Sequence, residues 1–318
     1  MNSGQSHWSC SVVCVVCVAL SAVVLPAAGQ SLPSAAASEV SVQSRAERGD
    51  ALAQYQLAST ILASNPSPTD LQEAIQWLRA AAVQNNPDAE FVLGYLYEHG
   101  QGVSKDYAMA LQNYSAAAAQ HHAASENNLA SLYQNGLGVA KDNHKAFEWY
   151  LASAQHGDPV GQFNLACLYY VGLGTPRDVP EAVQWWRAAS EYGLPEAQLH
   201  LAYFYFYGIV VERDYQRAAK LVRFAARAGL PAAESSMGFL FEQGKGVPLD
   251  YVSAYTWYSR AIAAGDHASV DRRKHLAEIM TSKQLNEAAT LLEVSRGPAP
   301  LPGALSLSNG DTFSLLRH

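Results

Sequence analysis

Asn128-Leu-Ala-Ser-Leu-Tyr-Gln-Asn-Gly-Leu-Gly-Val139, followed after Ala140 by Lys141-Asp-Asn-His-Lys-Ala-Phe-Glu-Trp-Tyr150, is the stretch on which the fold turns. Its central Gly-x-Gly recurs at Gly100/Gly102, Gly136/Gly138, Gly172/Gly174 and Gly244/Gly246, and a further copy keeps Gly208 but carries Val210. The step is 36 residues throughout. The same step links Asp70, Asp106, Asp142, Asp178, Asp214 and Asp250, and links Ala74, Ala110, Ala146, Ala182, Ala218 and Ala254. It links Leu57, Leu93, Leu129, Leu165 and Leu201, with Met237 last, and four residues on it links Tyr97, Tyr133, Tyr169, Tyr205 and Phe241. Columns in register at one fixed period are the signature of a repeat architecture.

Each period reads as two helices. From Pro87, Ala89, Leu93, Leu96 and Tyr97 fall at i, i+4, i+7 and i+8, the apolar face of a first helix. Gly100 follows, where a left-handed residue ends a helix without a Cβ penalty. Asp106 stands before the next periodic run, where its carboxylate can take the free amides of a helix start. A second helix over roughly 107–120 puts Ala110, Tyr114 and Ala117 on one face.

The first copy lacks Gly-x-Gly and has the loop Ser64-Asn-Pro-Ser-Pro-Thr-Asp70, in which Asp70 is expected to cap. Residues 38–49 are expected to form a capping half-repeat after a linker at 30–37, and residues 50–266 to hold six repeats. Residues 267–296 are expected to close the array with two polar helices, the second opened by a capping box at Thr281-Ser-Lys-Gln284. The Pro-, Gly- and Ser-rich residues 297–318 are expected to be a disordered tail.

The 318 residues carry 21 Lys and Arg against 28 Asp and Glu, a net charge of −7 without a basic block. That argues against a nucleic-acid partner, whose affinity needs clustered cations. After residue 30 no apolar run approaches the ~20 residues of a membrane span. Residues 1–29 contain no Asp, Glu, Lys or Arg, are almost wholly apolar from Ser11 to Leu25, and end in Ala27-Ala28-Gly29. They read as a secretory signal peptide cut near Gln30, with an uncleaved amino-terminal anchor as the alternative. A periplasmic or secreted location is expected. Cys10, Cys14 and Cys17 lie in that leader, so cleavage leaves Cys167 as the one thiol of the mature chain, with no intramolecular disulfide.

Leu-Gly-x-x-Tyr, Gly-x-Gly-Val, Lys-Asp, Ala-x-x-Trp-Tyr and a closing Ala-x-x-Gly together resemble the Sel-1-like repeat, a relative of the tetratricopeptide repeat, over about residues 50–266. The resemblance implies an all-α solenoid, a right-handed superhelix of helix-turn-helix repeats whose concave face is lined by first helices. It implies protein–protein binding or scaffolding without naming a partner. Some members are cysteine-rich secreted proteins that bind penicillins. This chain lacks those cysteines and any Ser-x-x-Lys, so a cell-wall or β-lactam hydrolase is the disfavoured alternative. A regulator that restrains a membrane sensor is a third reading.

No catalytic residue, metal or cofactor is expected. The glycine loops sit between helices rather than after a strand, which excludes a phosphate cradle. His121, His122, His144 and His156 are read as solvated loop residues, because His121 shares a column with Gly157, Gly193 and Gly229 and no metal-binding motif accompanies it. Trp149, Trp185 and Trp257 share one column and are expected to pack between helices. The groove positions that the resemblance implies are Phe91, Tyr95 and Glu98, then Phe163, Cys167 and Tyr170, then Leu199, Tyr203 and Phe206, then Phe239 and Glu242. They form either an aromatic partner-binding groove with acidic edges or, in part, packing between neighbouring first helices. A groove would take a protein segment with apolar anchors and nearby Lys or Arg.

Overall fold

The computed structural model describes residues 41–295. The expected signal peptide and linker, the start of the expected half-repeat and the expected tail lie outside them. Fifteen helices and no strand occur among the described residues. They divide into two compact units, one of residues 41–161 with 173–176, the other of residues 162–172 with 177–295.

The first unit opens with α1 (Val42–Glu47), α2 (Ala51–Ala63) and α3 (Pro68–Ala82), followed by the pairs α4 (Pro87–His99) with α5 (Tyr107–Ala118) and α6 (Ala123–Asn135) with α7 (Asn143–Gln155). Asp106 and Asp142 cap α5 and α7, each accepting two backbone amides at 2.9–3.1 Å. Asp70 does not cap. Ser67 is the N-cap of α3, Pro68 takes the first helical position, and Asp70 sits at N3, returning a bond to the Ser67 amide. The remodelled loop supplies a serine and a proline suited to those places, so the helix starts a few residues earlier.

Gly100 and Gly136 end α4 and α6 in the left-handed region, at φ 72° and 70°. The second glycine of each motif serves a different need: a Cβ at Gly138 would lie 2.5 Å from the Tyr107 carbonyl oxygen. The loop of one repeat thus rests on the second helix of the repeat before it. The core of this unit collects Leu93, Leu129, Leu96, Ile75 and Leu78 around Tyr114, with Trp149 against it.

Helix α8 (Pro159–Val171) leads into the second unit, which continues with α9 (Val179–Glu191), α10 (Pro195–Tyr207), α11 (Tyr215–Arg227), α12 (Pro231–Gln243) and α13 (Tyr251–Ala263). Asp178, Asp214 and Asp250 cap the second helices as their counterparts do. The first helices differ. In the first unit Asp50, Asn86 and His122 cap with side chains, whereas α10 and α12 start from Leu194 and Leu230 with Pro at the first turn. Val210 stands at φ 66°, a left-handed conformation that a β-branched residue adopts only under strain. Trp186, Phe204, Leu201 and Met237 form the centre of this core, with Trp185 and Trp257 against it. Helices α14 (Ser269–Ile279) and α15 (Ser282–Ser295) follow, the latter opened by reciprocal bonds between Thr281 and Gln284.

Candidate functional site

The second unit carries the densest aromatic group. Phe163 meets the His200 ring edge-on at 5.2 Å, and Trp186 lies 5.0 Å from His200 and 5.4 Å from Phe204. Tyr170 packs on Trp186 at 5.5 Å, and Phe206 reaches Tyr207, Tyr215 and Phe239 at 4.9–5.9 Å. Tyr203 and Tyr207 stand one helical turn apart, with centroids 4.8 Å apart. Exposure sorts the expected groove residues. Phe163, Leu199 and Phe206 are buried, at 1%, 4% and 9% exposed, while Cys167, Tyr170, Tyr203, Phe239 and Glu242 are half-buried. Phe206 is therefore mainly a core residue. Tyr203 and its neighbour Tyr207 keep open surface, and burial raises the pKa of each phenol, helped by Tyr170 for Tyr203 and by Tyr203 for Tyr207.

In the first unit Phe91 and Tyr95 are buried as well. Phe91 packs on the His122 ring at 5.0 Å, and Tyr95 stacks on His99 at 4.1 Å. Packing thus claims several positions that the groove expectation left open to a partner.

The acidic edges are a second difference. The Tyr114 hydroxyl donates to Glu98 at 2.7 Å, and the Tyr258 hydroxyl donates to Glu242 at 2.6 Å. Arg272 holds the same Glu242 oxygen at 2.8 Å. Burial first, and then the neighbouring carboxylate, push both phenols well above the usual tyrosine range. Tyr150 donates to Gln134 at 3.1 Å across the same spacing of 16 residues. The carboxylates are occupied inside their repeats rather than presented at an edge.

A second polar ladder recurs within each of the first three repeats, joining its start to its end at a spacing of 30 residues. Gln84 donates to Gln54 at 2.9 Å, Gln120 donates to Glu90 at 2.9 Å, and His156 Nδ1 meets Glu126 at 2.7 Å. Burial lifts the Glu90 carboxyl above its ordinary pKa, against the opposite pull of the Gln120 bond and His122. The Glu126 side chain is 1% exposed. The His121 ring lies 4.8 Å from that of His156, so two of the four histidines come together with a carboxylate. His144 is exposed beside Glu148. His122 is no solvated loop residue: its Nδ1 accepts the Ser125 amide at 3.2 Å and caps α6.

That same ring meets Ser125 Oγ at 2.9 Å and Asp88 at 3.4 Å, which is the atom set of a hydrolytic triad. Ser125 is fully buried, and the imidazole nitrogen it would need as base already serves the helix cap. The arrangement is built for capping, not for attack on a substrate.

Sequence reasoning also missed a basic surface. An open cavity of about 960 Å3 is lined by Arg187, Arg213, Arg217, Tyr205 and Tyr215, together with Asp214 and Glu212. Arg217 lies 4.4 Å over the Tyr205 ring. These cations lie on two helices, Arg187 on α9 and Arg217 on α11, and in the loop before α11, Arg213, so no run of Lys and Arg marks them in the sequence. Arg213 and Arg217 on either side of the Asp214 cap were the local signal available.

The Sel1 repeat model matches the chain six times, at residues 51–86, 87–122, 123–158, 159–193, 195–230 and 231–266. Among solved structures, the chain is similar to a protective antigen present in uropathogenic Escherichia coli strains displaying an SLR fold. The two share 29% identity with a TM-score of 0.69 over 80% of this chain and 56% of that one. It is also similar to a Sel1 repeat protein from Oxalobacter formigenes, at 27% identity and a TM-score of 0.64 over 79% of this chain and 98% of that one. No curated protein matches. With six matched repeats over more than half of its length, the chain belongs to the Sel1 repeat family.

Proposed function

We propose that the chain is a non-catalytic interaction scaffold or regulator of the cell envelope that binds a segment of a protein partner along first-helix aromatics of its second unit. Sel1 repeat proteins generally serve as protein-interaction scaffolds. The observation that carries the reading is the half-exposed set Tyr170, Tyr203, Tyr207 and Phe239, which rests on a rigid buried cluster. Aromatic side chains fixed from beneath bury large areas at low entropic cost and dominate hot spots. Arg177 over Tyr170 at 5.5 Å and Arg272 over Phe239 at 5.1 Å add cations to the rim, which favours a partner with apolar anchors and acidic neighbours. The envelope assignment rests on the apolar, uncharged residues 1–29.

The test is quantitative capture of the native partner by the wild type and by Tyr203→Ala. Loss of roughly tenfold or more in affinity, with the melting temperature nearly unchanged, supports the reading. Leu165→Ala is the control for core damage, since Leu165 is 0% exposed. Normal binding by Tyr203→Ala would sink the proposal, as would loss of folding equal to that of Leu165→Ala. Mass measurement of the native amino terminus tests processing near Gln30.

A further inference from the structure

The link between the second and third repeats departs from its column. Its counterparts are Gly49, Asn85, Gly157, Gly193, Gly229 and Gly265, all at positive φ. His121 holds the same left-handed conformation at φ 62°. Glycine takes that conformation freely, whereas a residue with a Cβ does so at a cost. The histidine therefore sits where the backbone asks for glycine.

A second departure lies 35 residues later. His156 shares its column with Gln84 and Gln120, which bond Gln54 and Glu90 at the start of their own repeats at 2.9 Å. An amide is thus sufficient for the ladder bond. The imidazole at 156 makes the bond to Glu126 at 2.7 Å but adds a nitrogen lone pair that the amide lacks.

The two departures converge. His121, Glu126 and His156 each offer one donor atom, and the three atoms lie within 4.8 Å of one another. Glu126 is anchored, with its side chain 1% exposed, and both imidazoles are exposed. From these observations we propose that His121, Glu126 and His156 form a binding site for a divalent transition metal ion of the zinc class.

Two imidazoles and one carboxylate are borderline donors, the set that suits Zn²⁺ and leaves one position for water or a group from a partner. Tetrahedral bonds of ~2.0 Å need donor atoms about 3.3 Å apart. The widest separation must close from 4.8 Å, and turning exposed imidazoles is a small rearrangement. The Glu126 carboxylate needs no movement, and a dication would offset the desolvation of its charge. The ion would join the link before α6 to the end of α7, clipping two successive inter-repeat links together. Asp158, Asp88 and His122 stand nearby but are engaged, Asp158 with Ser153 and the Gly161 amide, Asp88 with His122.

The column residues supply variants that keep the fold. His121→Gly restores the residue the backbone prefers, and His156→Gln restores the amide that the two preceding repeats use. Titration of the full chain with Zn²⁺ alone, by calorimetry, should find one ion per chain with micromolar or tighter affinity. Co²⁺ should give the visible bands of a tetrahedral site. Each variant should weaken Zn²⁺ at least tenfold, and Zn²⁺ should raise the melting temperature of the wild type but of neither variant. His144→Asn, at an exposed histidine beside Glu148, should bind as the wild type does. Absence of Zn²⁺ binding by the wild type at 0.1 mM free ion, on the order of a hundred times the affinity expected, overturns the site. So does wild-type affinity in either variant, since that residue is then no ligand. Equal loss in His144→Asn places the ion elsewhere and overturns it too.

Discussion

Glu98 of the second repeat and Tyr170 of the fourth occupy the same column, yet one takes a hydrogen bond from Tyr114 at 2.7 Å and the other lays its ring 5.5 Å from Trp186. The remaining copies divide in the same way. Gln134 with Tyr150 and Glu242 with Tyr258 are polar pairs, whereas Phe206 stands with Val222 and Leu62 with Leu78 in the matching positions. Acceptor and buried phenol occur together, or both are replaced, by Tyr170 with Trp186 in the fourth repeat and by apolar side chains in the first and fifth. A lone carboxylate facing Trp186, or a lone buried phenol facing Phe206, would leave a desolvated polar atom unmet at a cost of about 1–3 kcal/mol. The pair, sixteen residues apart, is therefore the unit of design. A glycine completes it: a Cβ at Gly94 or Gly238 would approach the Tyr114 or Tyr258 ring to 2.6 or 2.7 Å. The polar repeats hold a fixed bond at this point. The aromatic repeats stack rings there instead and leave Tyr170 and Tyr203 half-open to solvent.

The comparison breaks most easily on the aromatic side. Trp186 is 2% exposed and touches Tyr170, Phe204 and His200. Trp186→Ala should cost about 3–5 kcal/mol, because the cavity cannot be refilled by rings already in contact. Urea unfolding should show the loss as a lower midpoint. A midpoint close to that of the wild type would mean that the stacked rings do not support the second unit.

On the polar side, the kind of acceptor sets the size of the effect. Tyr114→Phe removes a donor from a carboxylate and should cost about 1.5–3 kcal/mol, whereas Tyr150→Phe removes one from an amide and should cost about 0.5–1.5 kcal/mol. Tyr258→Phe should fall below Tyr114→Phe, since Arg272 still holds Glu242 at 2.8 Å. Unfolding midpoints of the three variants give the order, and equal losses would show that the acceptor's charge is irrelevant.

Why the helices were legible and the pairs were not follows from distance along the chain. A cap such as Asp106, or a helix end such as Gly100, is decided by neighbours within a turn, so residue type and spacing suffice. The same local logic misplaced Asp70, because Ser67-Pro68 three residues earlier makes a better start. Glu98 and Glu242 looked like free acidic edges because their partners sit sixteen residues on, across a helix-to-helix packing that no local pattern reports. The correlated columns, Glu with Tyr or aromatic with Trp, did carry that information. His121, Glu126 and His156 lie further from view, since Glu126 and His156 sit thirty residues apart at the two ends of one repeat and His121 comes from the end of the repeat before. The recurrence of Gln54 with Gln84 and of Glu90 with Gln120 was the trace of that thirty-residue pairing in the sequence.

The smallest effect tests the 30-residue ladder. Gln54, Gln162 and Gln198 share the column of Glu90, and Gln54 accepts from Gln84 as Glu90 accepts from Gln120. Glu90→Gln should therefore keep the ladder bond while removing a buried charge. Burial raises the folded-state pKa of Glu90 above its unfolded value. The stability tied to protonation of such a group is fully present below the unfolded pKa and is lost as pH rises through the folded one. At pH 7 the wild type has lost it and the glutamine variant has not, so the variant should be the more stable, by no more than about 1 kcal/mol, the scale of one neutral hydrogen bond. The gap should close as pH falls through the raised pKa toward about 4.3, the ordinary glutamate value, and be absent below it. Melting temperatures of the two proteins across that range measure the gap. A variant less stable than the wild type at pH 7 would mean that the charge strengthens the Gln120 bond by more than its burial costs, and the ladder would then be ionic in character rather than a column of interchangeable amides and acids.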